Sequence, residues 1–210
     1  MIKPTQEFWK VFKETYGAFS TPEAIALYNI ALQAPQGEYL ELGTHKGKST
    51  LAAMLGLKKG KFYLVDPIFE DDNICSEMAK TFYSFPSTHI EKVLIADYST
   101  NVIHKHSNLS FVFLDSGDHG EELVKEEVQE LEDRLMGGGI LAFHDYQNQF
   151  TAVERWYDYL VGTGKYEPIA IDWKEIFDYV RENNLEDGNN SWHEKGSEEF
   201  PKFVGALRRK

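Results

Sequence analysis

Residues 41–50 read ELGTHKGKST, and the acid and the two glycines of this segment decide the fold of the chain. The apolar run YLEL at 39–42 leads into the segment, and STLAAMLGLK at 49–58 follows it with a helical pattern. Gly43 permits a tight turn, and Gly47 lets a ligand approach the backbone. The segment therefore predicts a strand, a glycine-containing turn and a helix, in that order.

Four further apolar runs also end close to an acid. They read FYLV at 62–65, VLIA at 93–96, FVFL at 111–114 and ILAF at 140–143. The acids that follow the five runs are Glu41, Asp66, Asp97, Asp115 and Asp145. Continuous apolar runs are typical of parallel strands covered on both faces, and ligands bind outside the carboxyl ends of such strands. We therefore expect one sheet edge to carry these carboxylates, which suits sugar hydroxyls, a cationic cofactor or a metal ion.

Helical patterns occupy the segments before and between the strands. The predicted helices are 5–16, 24–34 (capped by Ser20 to Glu23), 49–58, 121–135 and 150–161. Three glycines at 137–139 are predicted to stop the fourth of these helices. Beyond Gly164, strands are predicted at 166–172 and 203–208, with a long polar loop at 181–200 between them.

The composition limits the partners of the chain. A net charge of −12 over 210 residues argues against nucleic acid and anionic membranes, which would repel the protein. Cys75 is the only cysteine, so an intrachain disulfide is impossible. The start MIKPTQEFWK lacks the apolar stretch of a secretory signal, and no segment approaches the ~20 apolar residues of a membrane span. A cytoplasmic protein without membrane contact is predicted.

Two nucleotide-binding motifs come close to the glycine segment without matching it. Gly47-Lys48-Ser49 supplies the end of a P-loop, but the first glycine of that motif would fall at position 42, which is leucine. The dinucleotide pattern G-x-G-x-x-G also fails, because Thr44 and His45 follow Gly43. The remaining pattern is E-x-G-x-x-x-G-x-S.

ELGTHKGKS resembles the first motif of class I S-adenosylmethionine-dependent methyltransferases. In that family the glycine turn lies against the amino-acid and ribose parts of the cofactor, and an acid at the end of the second strand binds the ribose diol. Asp66 holds that position here, and Asp97 falls where the family contacts adenine. The resemblance implies cofactor contacts from Glu41, Gly43, Thr44, Gly47, Ser49, Asp66, Asp97, Tyr98 and Asp115.

The residue patterns, together with a resemblance that covers roughly residues 36–161, predict an organisation for the whole chain. They predict one α/β domain, a Rossmann-like doubly wound sheet of seven mostly parallel strands with an antiparallel last strand. An N-terminal helical cap would occupy residues 1–35, the cofactor-binding core residues 36–161, and the C-terminal strands residues 162–210. The two N-terminal helices would supply the contact of any homo-oligomer.

A second group of candidate residues follows the fourth and fifth strands. FLDSGDHGEE and GGGILAFHDY resemble small-molecule O-methyltransferases, with relatives among macrolide-sugar and catechol-type enzymes. Metal-dependent members hold magnesium at these strand ends, which makes Asp115, His144 and Asp145 candidate metal ligands. Here a histidine replaces a carboxylate at position 144, which favours zinc or transition metals over magnesium.

Another interpretation of this group makes His119 a general base. Its neighbours Asp115 and Asp118 are expected to keep its pKa near neutral. The catalytic candidates are then His119, Asp115 and His144, and both interpretations stay open. The predicted function is methyl transfer from S-adenosylmethionine to a small-molecule acceptor, at a hydroxyl oxygen. The alternatives are a P-loop-type nucleotide hydrolase and a non-catalytic nucleoside-binding domain.

Overall fold

Seven strands form a single sheet within the part of the chain that the structure describes. The computed structural model describes residues 1–15, 17, 19–84, 89–117, 119–147, 150–185 and 203–210. The strands are β1 (Glu38–Leu42), β2 (Gly60–Val65), β3 (Ile90–Ile95), β4 (Leu109–Leu114), β5 (Leu135–His144), β6 (Tyr166–Pro168) and β7 (Val204–Arg209). Their order in the sheet is β3-β2-β1-β4-β5-β7-β6. The first five pair in parallel and β7 runs antiparallel to both of its neighbours, which confirms the predicted architecture.

Helices cover both faces of the sheet. They are α1 (Gln6–Glu14), α2 (Thr21–Ala31), α3 (Lys48–Leu57), α4 (Asp72–Ser84), α5 (Ser99–Val102), α6 (Glu121–Leu131), α7 (Thr151–Gly162) and α8 (Trp173–Glu182). Helix α2 contacts α3 and α8, and α6 contacts α7. Alternate residues of β4 enter separate apolar clusters, with Phe111 and Phe113 in one and Val112 and Leu114 in the other. The continuous apolar runs therefore come from strands buried on both faces, as predicted.

Three predicted elements near the C-terminal half differ from the structure. Helix α6 ends at Leu131, and the glycines at 137–139 lie inside β5, so they do not stop the helix. Strand β6 covers only 166–168 of the predicted 166–172. The sequence interpretation missed α8, which includes the first two residues of the predicted polar loop at 181–200. Residues 186–200 of that loop lie outside the described residues.

The glycine turn after β1 brings three strand ends together. The amide of Gly43 donates to Val65 O at 2.9 Å, and the amide of Asp115 donates to Leu42 O at 2.8 Å. Gly43 has φ +84°, and a Cβ at this position would lie 2.0 Å from the carbonyl oxygen of Asp115. Only glycine fits here, because any side chain would collide with the backbone after β4. The turn therefore sits directly against the β2 and β4 ends.

No helix in the described part of the chain is long and apolar enough to cross a membrane.

Candidate active site

Asp66, at the end of β2, is held against the glycine turn. Its Oδ2 accepts from the amide of His45 at 2.7 Å, and its Oδ1 accepts from the amide of Ile68 at 2.9 Å. Each carboxylate oxygen has two lone pairs, so the carboxylate can accept further hydrogen bonds. Asp66 is half-buried, and its position matches the acid that the resemblance assigns to a ribose diol.

Glu41 lies beneath the turn and not on the open rim of the sheet. The residue is fully buried, and its carboxylate accepts hydrogen bonds from the hydroxyls of Tyr39, Ser49 and Thr50. Burial raises the pKa of Glu41 to about 7, although the three hydroxyl donors act in the opposite direction. The sequence predicted that all five acids lie along one open edge of the sheet, and this prediction is wrong for Glu41. The Glu41 carboxylate instead binds the side-chain hydroxyls of Ser49 and Thr50 at the start of α3.

The other predicted cofactor residues differ in their surroundings. Asp97 accepts from the amide of Tyr98 and from Asn101 Nδ2, both at 2.8 Å, and the Asn101 bond is the main cause of its lowered pKa. The Tyr98 ring is 67% exposed at the β3 end of the rim. Thr44 is buried, and its Oγ1 has no hydrogen-bond partner among the described residues. Gly47 adopts a left-handed conformation as the N-cap of α3.

Four side chains after β4 and β5 form a compact group, which we call the Asp/His cluster. Its members are Asp115, His119, His144 and Asp145. One potential ligand atom from each lies within 4.8 Å of the others. The cluster thus joins the three predicted metal ligands to the predicted base His119. Asp118, the other expected neighbour of His119, lies outside the described residues.

The contacts within the cluster are short. His144 Nδ1 lies 2.8 Å from Asp115 Oδ1 and 3.3 Å from Asp145 Oδ2. His119 Nε2 lies 3.1 Å from Asp145 Oδ2 and 3.6 Å from Asp115 Oδ1. His119 and Asp145 both have φ of +55°, a left-handed conformation that costs about 1–3 kcal/mol for residues other than glycine. The loops after β4 and β5 thus adopt unfavourable backbone conformations at the points where they present these side chains.

Glu23 reaches the cluster from helix α2. Its Oε1 lies 2.8 Å from His144 Nε2, and its Oε2 accepts from the amide of Ser20 at 2.6 Å. The sequence interpretation recognised Glu23 only as a capping residue. The capping pattern predicts the contact to Ser20, but no local signal points to a histidine 121 residues away.

Electrostatic interactions in the cluster raise the pKa of both imidazoles. Burial lowers the pKa of His119, but the hydrogen bonds and charges of Asp115 and Asp145 outweigh it and raise the pKa to about 9. Burial acts the same way on His144, and the charges of Asp115 and Glu23 raise its pKa well above the ordinary value. The expected near-neutral pKa of His119 is therefore wrong, because two carboxylates face one ring.

A cavity of about 250 Å³ connects the two halves of the site. Its lining includes Gly43 and Thr44 of the turn together with Asp115, His144 and Asp145 of the cluster. The ring of Phe19 also lines the cavity and lies 5.5 Å from the His144 ring, centroid to centroid. The glycine turn and the Asp/His cluster therefore face one shared space.

Magnesium, which the resemblance implies, does not fit this group of side chains. Mg²⁺ prefers oxygen ligands and retains several waters. Here two of the four candidate ligand atoms are imidazole nitrogens, and the two histidines are largely buried, with side-chain exposures of 6% and 13%.

The sequence belongs to a family of methyltransferases. The model of the family described as "Methyltransferase domain" matches residues 40–146, which include the glycine turn and the whole Asp/His cluster. No curated protein sequence matches the chain. The family match and the fold define the chain as a member of the methyltransferase domain family.

Solved methyltransferases share the fold at low sequence identity. An O-methyltransferase from Bacillus cereus in complex with SAH has a TM-score of 0.60 and 12% identity over 100% of this chain and 93% of its own. The SAH-bound Podospora anserina methyltransferase PaMTH1 also has a TM-score of 0.60 and 12% identity, over 97% of this chain and 86% of its own. An rRNA methylase from Streptococcus thermophilus has a TM-score of 0.54 and 15% identity over 89% of this chain and 93% of its own. These similarities establish the fold, and the activities belong to those proteins.

Proposed function

We propose that the chain transfers the methyl group of S-adenosylmethionine to a hydroxyl oxygen of a small molecule. The observation that carries the proposal is the shared cavity, which both the glycine turn and the Asp/His cluster line. A methyl donor against the turn and an acceptor against the cluster would meet there. Family membership supports the reaction class.

The cofactor side of the proposal assigns the sugar to Asp66. A carboxylate can accept from both hydroxyls of a ribose diol, and the two backbone amides that already bind Asp66 hold it in place. Gly43 and Thr44 would lie along the amino-acid part, and Asp97 with the exposed Tyr98 would border the adenine. Glu41 contributes from below by fixing Ser49 and Thr50 at the start of α3.

The acceptor side assigns the hydroxyl to the Asp/His cluster. The reaction forms a bond between the acceptor oxygen and the methyl carbon, and the carbon–sulfur bond breaks with its electron pair left on sulfur. The hydroxyl proton passes to a carboxylate of the cluster, while Asp115, His119 and His144 position the acceptor oxygen. Alignment of this kind can supply roughly 7–11 kcal/mol of a reaction barrier.

Charge favours a small acceptor over a nucleic acid. The net charge of −12 would repel phosphates, and RNA-binding proteins gain most of their affinity from basic residues. Some proteins of the same fold are rRNA methylases, so the acceptor class needs a direct test.

The contacts of Lys48 argue against the P-loop alternative. A P-loop lysine reaches the β- and γ-phosphates of its nucleotide. Lys48 is buried, and its Nζ lies 4.5 Å from the centre of the Phe12 ring and 3.5 Å from Gly17 O. The amine thus packs against α1 and the segment that follows it.

The first experiment measures ligand binding by calorimetry. We expect S-adenosylhomocysteine to bind the wild type, and Asp66→Asn to weaken binding by about tenfold or more because an amide accepts poorly from two hydroxyls. Asp133→Asn is the matched control, since Asp133 has a side-chain exposure of 75% and its ion pairs among the described residues are with Lys165 and Arg209, at the opposite end of the strands. Binding of ATP with magnesium but not of S-adenosylhomocysteine would overturn the proposal.

The second experiment separates an enzyme from a non-catalytic binding domain. Release of S-adenosylhomocysteine is followed with S-adenosylmethionine and a panel of phenols, sugars and RNA. We expect turnover with a hydroxyl compound, and Asp145→Asn should abolish it while retaining cofactor binding. Wild-type turnover with RNA alone would reject the small-molecule acceptor.

A further inference from the structure

We propose that the Asp/His cluster, with Glu23 behind it, is a binding site for zinc or a similar transition-metal ion and discriminates against magnesium. The ligands would be His119 Nε2, His144 Nδ1, Asp115 Oδ1 and Asp145 Oδ2. This inference deepens the acceptor side of the proposed function, but metal binding can be measured without methyl transfer.

The spacing of the four atoms fits a tetrahedral ion. Zinc binds nitrogen at about 2.0–2.1 Å and carboxylate oxygen at about 2.0–2.2 Å, which places neighbouring ligand atoms of a tetrahedron about 3.3–3.6 Å apart. The four nitrogen–oxygen distances in the cluster are 2.8, 3.1, 3.3 and 3.6 Å. These distances are four of the six edges of the tetrahedron, and all four atoms lie within 4.8 Å of one another, so an ion could enter after adjustment of the side chains.

The orientation of His144 is a second, independent observation. Its Nδ1 is buried and has no hydrogen-bond partner of acceptable geometry among the described residues, although Asp115 Oδ1 is 2.8 Å away. Its other nitrogen, Nε2, lies 2.8 Å from Glu23 Oε1. Metal-binding histidines almost always donate their second N–H to a carboxylate or carbonyl, which fixes the tautomer and turns the free lone pair toward the metal.

Glu23 is itself held in place for this role. It is 5% exposed, and the amide of Ser20 binds its other oxygen at 2.6 Å. The rings of Phe19 and Phe113 lie against His144, with centroids at 5.5 and 6.2 Å, and Phe150 lies against His119 at 4.9 Å. An apolar wall of this kind limits access of water to a metal site.

Two imidazoles and two carboxylates select zinc, cobalt, nickel or iron over magnesium. Imidazole suits these ions, whereas Mg²⁺ takes oxygen ligands in an octahedron. Asp115, His144 and Asp145 also line the shared cavity, so an ion held there would border the proposed acceptor space. An ion held by these four atoms would act on an acceptor hydroxyl as a Lewis acid by taking its oxygen as a fifth ligand from the cavity side, which would ease loss of the hydroxyl proton.

The test is metal binding to the full chain after removal of metals with a chelator. Calorimetry with Zn²⁺ and with Mg²⁺ is compared, and Co²⁺ provides a visible spectrum that reports coordination geometry. We expect stoichiometric Zn²⁺ binding, a tetrahedral-type Co²⁺ spectrum and Mg²⁺ binding weaker by about a thousandfold or more. Absence of Zn²⁺ binding, or Mg²⁺ binding as tight as that of Zn²⁺, would refute the site.

Variants then locate the ion. His119→Gln and Asp145→Asn should each weaken Zn²⁺ binding strongly, and Glu23→Gln should weaken it by about 10–100-fold through the orientation of His144. His106→Gln is the matched control, because the His106 ring packs against Tyr63 at 4.2 Å, centroid to centroid, at the opposite end of the strands. Thermal unfolding checks that each variant is folded. If a variant does not fold, the Zn²⁺ and Mg²⁺ affinities of the wild type decide whether the metal site exists. Unchanged Zn²⁺ affinity in folded His119→Gln and Asp145→Asn would place the ion elsewhere and reject the proposal.

S-adenosylhomocysteine binding, measured on the same samples, keeps the two proposals separate. Zn²⁺ binding without S-adenosylhomocysteine binding would support the metal site and reject the proposed function. S-adenosylhomocysteine binding without Zn²⁺ binding would support the proposed function and reject the metal site.

Discussion

Glu41 is buried with three hydroxyl groups that donate to its carboxylate. This arrangement makes the free energy of unfolding depend on pH. Tyr39 comes from the same strand, and Ser49 and Thr50 come from the first turn of α3. Burial raises the pKa of Glu41 from an ordinary 4.5 to about 7. The folded protein therefore binds a proton at Glu41 over a pH range in which the unfolded chain has already lost it.

The first prediction concerns stability in Glu41→Gln. The raised pKa of Glu41 stabilises the folded protein. This stabilisation is fully present below about pH 4.5 and is lost as the pH rises through about 7. The shift corresponds to a loss on the order of 3 kcal/mol in wild-type unfolding free energy, which the variant lacks. Urea unfolding at a series of pH values measures both proteins. Parallel pH profiles of the two would contradict the prediction.

The second prediction concerns Gly43→Ala. The positive φ costs about 1–3 kcal/mol for alanine, and a Cβ 2.0 Å from Asp115 O forces the backbone apart. We expect a loss of about 3 kcal/mol or more in unfolding free energy, with loss of S-adenosylhomocysteine binding. Gly162→Ala is the control: its Cβ would meet nothing within 4 Å, and stability should stay the same or rise by up to about 1 kcal/mol. Equal stabilities would show that the turn tolerates a side chain.

Sequence reasoning predicted which strand-end residues of the candidate site lie together, but not the direction of every side chain. Asp66, Asp115 and Asp145 follow their strands and lie near the turn or in the cluster, because the parallel pattern fixes where strands end. Glu41 also ends an apolar run, yet its side chain points inward, and a period-two pattern cannot assign a face when both faces are buried. The contact from Glu23 depends on packing of α2 over the sheet, which no short segment encodes.

At the level of elements, α8 shows what the sequence interpretation overlooked. Asp172 accepts from the amide of Glu175 at 2.9 Å as an N-cap, and the buried face of the helix follows at helical spacing. That face includes Trp173, Ile176, Phe177 and Val180. The predicted strand at 166–172 ended at this cap. The polar stretch that begins at residue 181 drew attention away from the helical spacing of the apolar residues before it. The sequence interpretation therefore overlooked a whole helix, although its cap and its apolar spacing are both visible in the sequence.

The third prediction tests the cap of α8. Asp172→Ala removes the acceptor for the Glu175 amide and should cost about 1 kcal/mol of unfolding free energy. Asp133→Ala is the control, because exposed ion pairs contribute about 0–1 kcal/mol. Chemical denaturation of the two variants is compared with the wild type. An unfolding free energy of Asp172→Ala equal to that of the wild type would mean that the Asp172 hydrogen bond does not stabilise the helix.

For the whole molecule, the charge distribution constrains the acceptor. Acids outnumber Lys and Arg by 34 to 22, and two of these acids, Asp115 and Asp145, line the cavity between the turn and the cluster. Release of counterions by basic side chains supplies most of the free energy of non-specific nucleic-acid binding. This chain has an excess of acids, so counterion release would contribute little free energy to RNA binding. Shape and hydrogen bonding would have to provide the affinity for RNA.

The fourth prediction follows from that balance. Fluorescence anisotropy with labelled single-stranded and duplex RNA at physiological salt should give Kd values weaker than about 10⁻⁴ M, at or beyond the weak end of ordinary non-specific binding. Affinity should remain weak at low salt, because few phosphate contacts mean a shallow salt dependence. Micromolar binding that falls steeply with added salt would contradict this result and transfer the acceptor assignment from small hydroxyl compounds to RNA. In that case the basic residues responsible would have to form a local patch strong enough to overcome a net charge of −12.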